Sequence, residues 1–254
     1  MHEVLQGKEG LITRVLVMGC TPSIRKLLEQ HFPSVLVYCA DFSTEMYSAT
    51  SESMGKLNPN ETLIATNWLD LGAAMSEPVD VVIGDKAIDN VPFDRWSELF
   101  TQLAGVLAPQ GLLVAHVGLP DPGLKGTSFA VLVHKWEQLV ALGAVPVDDA
   151  VTGLWEDLLS ASATDSHRDL SLRPFVDDIR QLASARATSS PLEAGFLDMF
   201  QDVIVGTWTR FDQQDVETAA SVWFDLARTD HSADYLAAPQ QPILTFRKRS
   251  RALT

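Results

Sequence analysis

The stretch RVLVMGCTPSIRKLLEQHF, Arg14 to Phe32, decides the fold class. Val15 to Met18 are aliphatic without polar alternation, as expected of a strand covered on both faces. Gly19 ends that strand. Thr21-Pro22 then has the form of a helix start, a hydroxyl residue at the N-cap and a proline whose missing N–H is spare at the first helical position. Ile24, Leu27, Leu28 and His31 follow on one helical face. The arrangement is the strand–turn–helix of a nucleotide-binding unit, but only Gly19 stands where such turns carry two or three glycines.

Working outward, further short aliphatic runs lie at 35–40 (VLVYCA), 62–65 (TLIA), 79–83 (VDVVI) and 112–117 (LLVAHV). Helical patterns separate most of them. Ser43 is placed to cap a helix through Met46 and Tyr47. In the segment 94–107, Trp96, Leu99, Phe100, Leu103 and Leu107 follow helical spacing. Pro109-Gln110-Gly111 reads as a turn that launches the next strand. Strands alternating with helices predict a doubly wound, mostly parallel sheet whose ligands sit at the C-terminal strand ends. A helical pattern covers 127–142, and from about 146 to 207 only helical stretches and polar joints are visible. The spacing predicts a helical insertion or lid within a single domain, 1–254. The C-terminal segments DVETAASVWFDLAR and PILTFRKR predict a helix, then a hairpin of two strands.

The chain has 254 residues, 46% of them hydrophobic, enough for a sizeable core. No apolar run reaches the roughly 18 residues of a membrane span. MHEVLQGKEGLI lacks a basic start followed by an apolar block, so no secretory signal is expected. Cys20 and Cys39 have neither zinc-site nor disulfide-framework spacing, which points to a reducing, cytoplasmic compartment. Nineteen basic residues against 33 acidic give a net charge of −14, which argues against nucleic acid as a partner. A neutral or cationic small molecule suits that field better. No metal site is expected, since the histidines and carboxylates lack ligand spacing. No GxSxG motif suggests a hydrolase.

Four stretches in order carry a family resemblance: RVLVMGCTP, VYCADFSTEM, the pair NWLDL and VDVVIGDKAIDNVP, and LAGVLAPQGLLVAHV. With the terminal strand pair, they resemble the class I S-adenosylmethionine-dependent methyltransferases over residues 11–145 and roughly 210–250. The resemblance implies a Rossmann-like α/β fold and S-adenosyl-L-methionine as cofactor. It implies methyl transfer to oxygen or nitrogen of a small molecule; no membrane or nucleic-acid partner is expected, and a homodimer is one assembly this reading allows. The alternative is a protein of that fold without methyl transfer, acting as a binding or regulatory subunit or running another reaction in the same pocket.

The resemblance also assigns residues. Gly19 lets the backbone approach the cofactor, with Cys20 and Thr21 at the helix N-terminus offering donors to a carboxylate. Asp41, closing the second strand, accepts both ribose hydroxyls in charge-assisted hydrogen bonds. Phe42 lies against the adenine edge. Asn67 and Trp68 read and cover the base, with Asp70 an alternative for the polar role. Asp85 follows the fourth strand, where donor and acceptor meet, and Lys86, Asp89 and Asn90 line the same loop. Lys86 departs from the family, because a cation there repels a sulfonium unless it points away or is paired. His116, ending the fifth strand, is the candidate general base. Each assignment has a structural counterpart: a tight turn at Gly19, a helix cap at Asp41, core packing for Phe42 and Trp68, a salt-bridged loop at Asp85 and a satisfied strand histidine at His116.

Overall fold

A computed structural model describes residues 2–7, 10–55, 58–162, 169–171, 173–185, 190–200, 207–231 and 240–250. The sheet contains β1 (Arg14–Met18), β2 (Leu36–Asp41), β3 (Glu61–Ala65), β4 (Val79–Asp85) and β5 (Leu107–His116). Short β6 (Asp169–Ser171) and β7 (Thr207–Thr209) pair with each other, while β8 (Phe224–Asp230) and β9 (Ile243–Lys248) complete the main sheet. The order is β3-β2-β1-β4-β5-β9-β8. β1 to β5 pair in parallel, and β9 is antiparallel to both β5 and β8. This is the doubly wound, mostly parallel sheet with a C-terminal antiparallel hairpin that the sequence predicts. The order reverses between β1 and β4, so a crevice opens at their C-terminal ends.

Alternation along the buried strands builds two cores, one on each face. Leu16, Met18, Val82 and Leu113 face α5 (Trp96–Val106), whose Trp96, Leu99, Phe100 and Leu103 are buried as their spacing predicts. Val15, Val17, Val81, Ile83 and Val114 face the other way, onto Ile24 and Leu28 of α2 (Pro22–His31). Before α2 lies a short helix, α1 (His2–Leu5), that adds Val4 and Leu5 to this second core. α3 (Thr44–Met54) is capped as expected, Ser43 Oγ accepting from Met46 N at 3.1 Å. A single turn, α4 (Leu71–Ala74), follows β3.

A third apolar cluster belongs to the chain between β5 and β8. It contains Leu132, Val133 and Trp136 of α6 (Phe129–Ala141), and Val151, Leu154, Trp155 and Leu158 of α7 (Val147–Ala161). Val176 and Ile179 of α8 (Arg173–Ala185) and Leu192 and Phe196 of α9 (Pro191–Phe200) complete it. α6 and α7 approach closely at Gly153, where a Cβ would meet the Trp136 ring at 2.1 Å. α10 (Gln213–Ala220) then leads into β8 under a capping box between Asp212 and Asp215.

Two expectations need correction. The block at 146–207 is not wholly helical, because β6 and β7 form a small antiparallel ribbon. Strands of three residues are too short to show a period of two. The Pro109-Gln110-Gly111 turn does not precede β5 but interrupts it. Leu107 pairs with Val79, Leu112 pairs with Val81, and Gln110 takes φ 66° in the bulge between them. Among the described residues no helix is long and apolar enough to cross a membrane.

Candidate active site

At the crevice, Gly19 has φ +85°, a conformation that side chains resist, and its N–H donates to the Ala40 carbonyl at 2.8 Å. A Cβ on Gly19 would lie 3.7 Å from the Trp68 ring and 3.9 Å from Asp41 Oδ2. The glycine therefore brings the β1–α2 turn against the end of β2 and the turn after β3. Asp41 Oδ1 accepts from Ser43 N at 2.8 Å, which fixes the carboxylate at the start of α3. The Cys20 thiol is buried at the same point. Burial first, then the charge and hydrogen bond of Asp41, push it up to about 12, so it is an unreactive thiol. Cys39 is pushed up as well by burial and by Glu61, and both cysteines are free.

Trp68 donates its indole N–H to the Ala40 carbonyl at 2.6 Å, which anchors the ring across Gly19. Gly19, Asp41 and Trp68 are all partly exposed, so the ring and the carboxylate are open to solvent at the strand ends. Asn67 also serves the backbone. Its Oδ1 accepts from Leu69 N at 3.0 Å and caps the turn Trp68–Asp70, so that oxygen is committed to the backbone. Phe42 is 81% exposed and lines neither core nor cleft. Thr21 makes no side-chain cap to α2.

Across the crevice, Asp85 and His116 are register partners on β4 and β5, and neighbours in register share a face. Their contact is Asp85 Oδ1 to His116 Nδ1 at 2.7 Å. Burial pushes the Asp85 carboxyl upward, but the hydrogen bond and charge of His116, with Lys86 beyond, outweigh it and hold it below the usual range. Asp85 is thus an anion that fixes one imidazole tautomer.

Lys86 takes φ 52°, a conformation uncommon for a side-chain-bearing residue. Its N–H bonds the His116 carbonyl at 2.8 Å, and its own carbonyl accepts from Asn90 Nδ2 at 2.7 Å. Its ammonium turns away from Asp85 to pair with Glu156 of α7. The cation that sets this chain apart from the family pattern is therefore neutralised by the helical layer.

Asp89 is 2% exposed, and its Oδ2 accepts from Gly118 N at 2.9 Å. Burial pushes its carboxyl up to about 7, against the lowering effects of Lys86 and the Gly118 N–H, while Glu156 adds to the rise. An acid whose folded pKa lies above its unfolded value stabilises the fold fully below the unfolded value. That stability is lost as pH rises through about 7. Asp89→Asn is expected to flatten stability between pH 5 and pH 8, with the gain at pH 8 on the order of a few kcal/mol. Thermal melts of both proteins across that range check it; parallel curves refute it.

Sequence reasoning placed Asp85, Lys86, Asp89, Asn90 and His116 in one neighbourhood but missed Glu156, Gly118 and Arg210. Glu156 carried a faint signal, a charge inside the apolar stripe of Leu154, Trp155, Leu158 and Leu159. Among the described residues, no group of three or more histidine, cysteine and carboxylate side chains is arranged to hold a metal.

No family model and no curated protein matches the sequence. Solved structures do match the fold. The N-methyltransferase NodS from Bradyrhizobium japonicum WM9, in complex with S-adenosyl-L-homocysteine, is 11% identical with a TM-score of 0.50, over 98% of this chain and 86% of that one. Magnesium protoporphyrin IX methyltransferase (ChlM) from Synechocystis PCC 6803, with S-adenosyl-L-homocysteine bound, is 13% identical with a TM-score of 0.51, over 98% and 80%. A Rhodobacter sphaeroides chain described as a Zn-dependent alcohol dehydrogenase is 18% identical with a TM-score of 0.55, over 98% and 89%. This chain has the class I methyltransferase fold. At these identities the likeness establishes architecture, and function rests on the site.

Proposed function

We propose that the chain is an S-adenosylmethionine-dependent methyltransferase acting on oxygen or nitrogen of a small molecule. One observation carries this reading: Asp41 and the positive-φ Gly19 are brought together at the switch point of the sheet. NodS and ChlM, which share the fold, hold S-adenosyl-L-homocysteine.

The residues fit such a cofactor. Asp41 Oδ2 faces the Gly19 turn and is suited to a ribose diol. The N-terminus of α2 suits a carboxylate, and the Trp68 ring offers an apolar face for a base. The anionic Asp85 complements a cationic centre, and Lys86, held by Glu156, does not oppose it. When bound, the cofactor supplies a methyl group already activated by its sulfonium. The protein then contributes positioning and the removal of a proton. Asp85 holds the Nδ1–H tautomer of His116, which makes Nε2 the basic nitrogen of the ring. The layer of α7, α8 and α9 is assigned to the acceptor side of the site, and the buried thiols suit a cytoplasmic protein.

Calorimetric titration with S-adenosylhomocysteine tests the reading, and absence of heat and of a thermal shift removes it. His116→Gln is expected to lower kcat by about 10²- to 10⁴-fold while leaving that affinity unchanged. Equal losses in both would make His116 a structural residue. The second reading, a binding protein without methyl transfer, is favoured by the Trp68 ring in contact range of Gly19 and by the two absent glycines. It stands if the titration is silent.

A further inference from the structure

Beyond the ends of β4 and β5 lies a group of charges that the mechanism above does not use. Arg210 is 7% exposed and follows β7, whose Thr209 Oγ1 donates to the Val91 carbonyl at 2.6 Å. That bond docks β7 on the segment just after Ile88–Asn90. Arg210 Nε and Nη2 are buried without a hydrogen-bond partner, and so is Asp89 Oδ1. Orphaned buried polar atoms of this kind are rare and call for an occupant. Nε and Nη2 are the two parallel donors on one edge of a guanidinium, the fork that matches a carboxylate.

We infer that Arg210, with Asp89, Lys86 and Glu156 around it, forms an internal subsite for a carboxylate carried by the methyl acceptor. The identification of its owner as the acceptor rests on the proposed methyl transfer. A Cβ on Gly118, two residues past His116, would lie 2.9 Å from Asp89 Oδ2 and 3.7 Å from Glu156 Oε2, so the group adjoins the Asp85–His116 pair. The charges suit an anion. Lys86 neutralises Glu156. Burial pushes the Asp89 carboxyl up to about 7, so it opposes an anion less than an ordinary carboxylate does, and its Oδ1 has no hydrogen-bond partner. Within the group, that leaves the Arg210 guanidinium as the cation with no hydrogen-bonded counter-charge, while the anionic Asp85 alongside is bonded to His116. Burial lowers the Arg210 pKa to about 10, which keeps it cationic at neutral pH. A chain with net charge −14 has little general attraction for anions, so a carboxylate taken up here is taken up by this site.

The test compares benzoate with benzamide, of equal shape, by calorimetry and thermal shift on the full chain. Benzoate is expected to bind and raise the melting temperature, and benzamide is not. Arg210→Gln and Arg210→Lys are expected to lose tenfold or more in benzoate affinity, the lysine because it keeps the charge and loses the fork. Equal binding of the amide, or benzoate affinity that survives Arg210→Gln, overturns the proposal and leaves a buried water as the occupant. A crystal structure of the wild-type protein grown with benzoate decides the matter if neither variant folds: carboxylate on Arg210 Nε and Nη2 supports it, carboxylate elsewhere refutes it. S-adenosylhomocysteine titrated separately keeps the outcomes distinct. If it binds and benzoate does not, the subsite falls and the methyl-donor reading stands; the converse removes the donor and keeps the anion site.

Discussion

Asp41→Ala is expected to reduce the affinity for S-adenosylhomocysteine by roughly a hundredfold or more. The carboxylate is placed to accept from two hydroxyls, and hydrogen bonds to a charged group are worth about 1.5–3 kcal/mol each. Two such bonds correspond to two or more decades in binding. Asp41→Asn separates charge from shape. The amide keeps one acceptor oxygen and can still take the Ser43 N–H that Oδ1 now receives. Its loss is therefore expected to be smaller than that of alanine, with the start of α3 undisturbed. Calorimetry gives both affinities, and a melt in the absence of ligand shows whether α3 has loosened. Alanine and wild-type proteins with equal affinity would place the cofactor elsewhere and reduce Asp41 to a cap. Trp68→Ala gives the complementary measurement on the other wall. A loss there supports a stacking face, and a gain shows that the indole competes for the space above Gly19.

The parts of this site that the sequence displays are those set by local rules. A strand covered on both faces has no polar alternation, so β1 and β4 read as buried strands, and Gly19 and Asp85 follow at their ends. Ser43 reads as a cap, and Asp41 precedes it by two residues. What the sequence conceals is pairing over distance. Lys86 and Glu156 are 70 residues apart, and nothing near either marks the other. Arg210 lies after a strand of three residues that has no recognisable period. The bulge at Gln110 is equally hidden, because its cause is the register of β5 against β4 rather than anything in PQG itself. Asn67 is ambiguous in sequence for a related reason. A polar residue after a strand serves a ligand or a backbone turn equally well, and only the fold shows that its Oδ1 meets Leu69 N.

Arg25 is the clearest concealed residue, and it carries the largest expected effect on stability. On the helical wheel of α2 it flanks the apolar face, yet it is 1% exposed. Its guanidinium donates to Glu61 at the start of β3, Nη2 to Oε1 at 2.5 Å and Nε to Oε2 at 3.0 Å. Nη1 reaches Thr50 Oγ1 at 2.9 Å, Nη2 reaches Ser51 Oγ at 2.8 Å, and the Tyr47 ring lies under it with its centroid 4.8 Å away. The Tyr47 hydroxyl donates to Glu61 as well, and burial with the Glu61 charge pushes it up to about 12. One guanidinium thus ties α2, α3 and β3 together directly behind Gly19 and Asp41. Arg25→Met leaves the Glu61 carboxylate buried without its cation, held only by neutral partners such as the Tyr47 hydroxyl, and removing one partner of a buried pair costs about 3–5 kcal/mol. For a chain of this size that corresponds to a fall of about 6–20 °C in melting temperature. Replacing both, as Arg25→Met with Glu61→Leu, removes the stranded charge and is expected to recover most of the loss. A double variant as unstable as the sum of the two single ones would show that Arg25 acts through packing of its aliphatic stem and not through its charge.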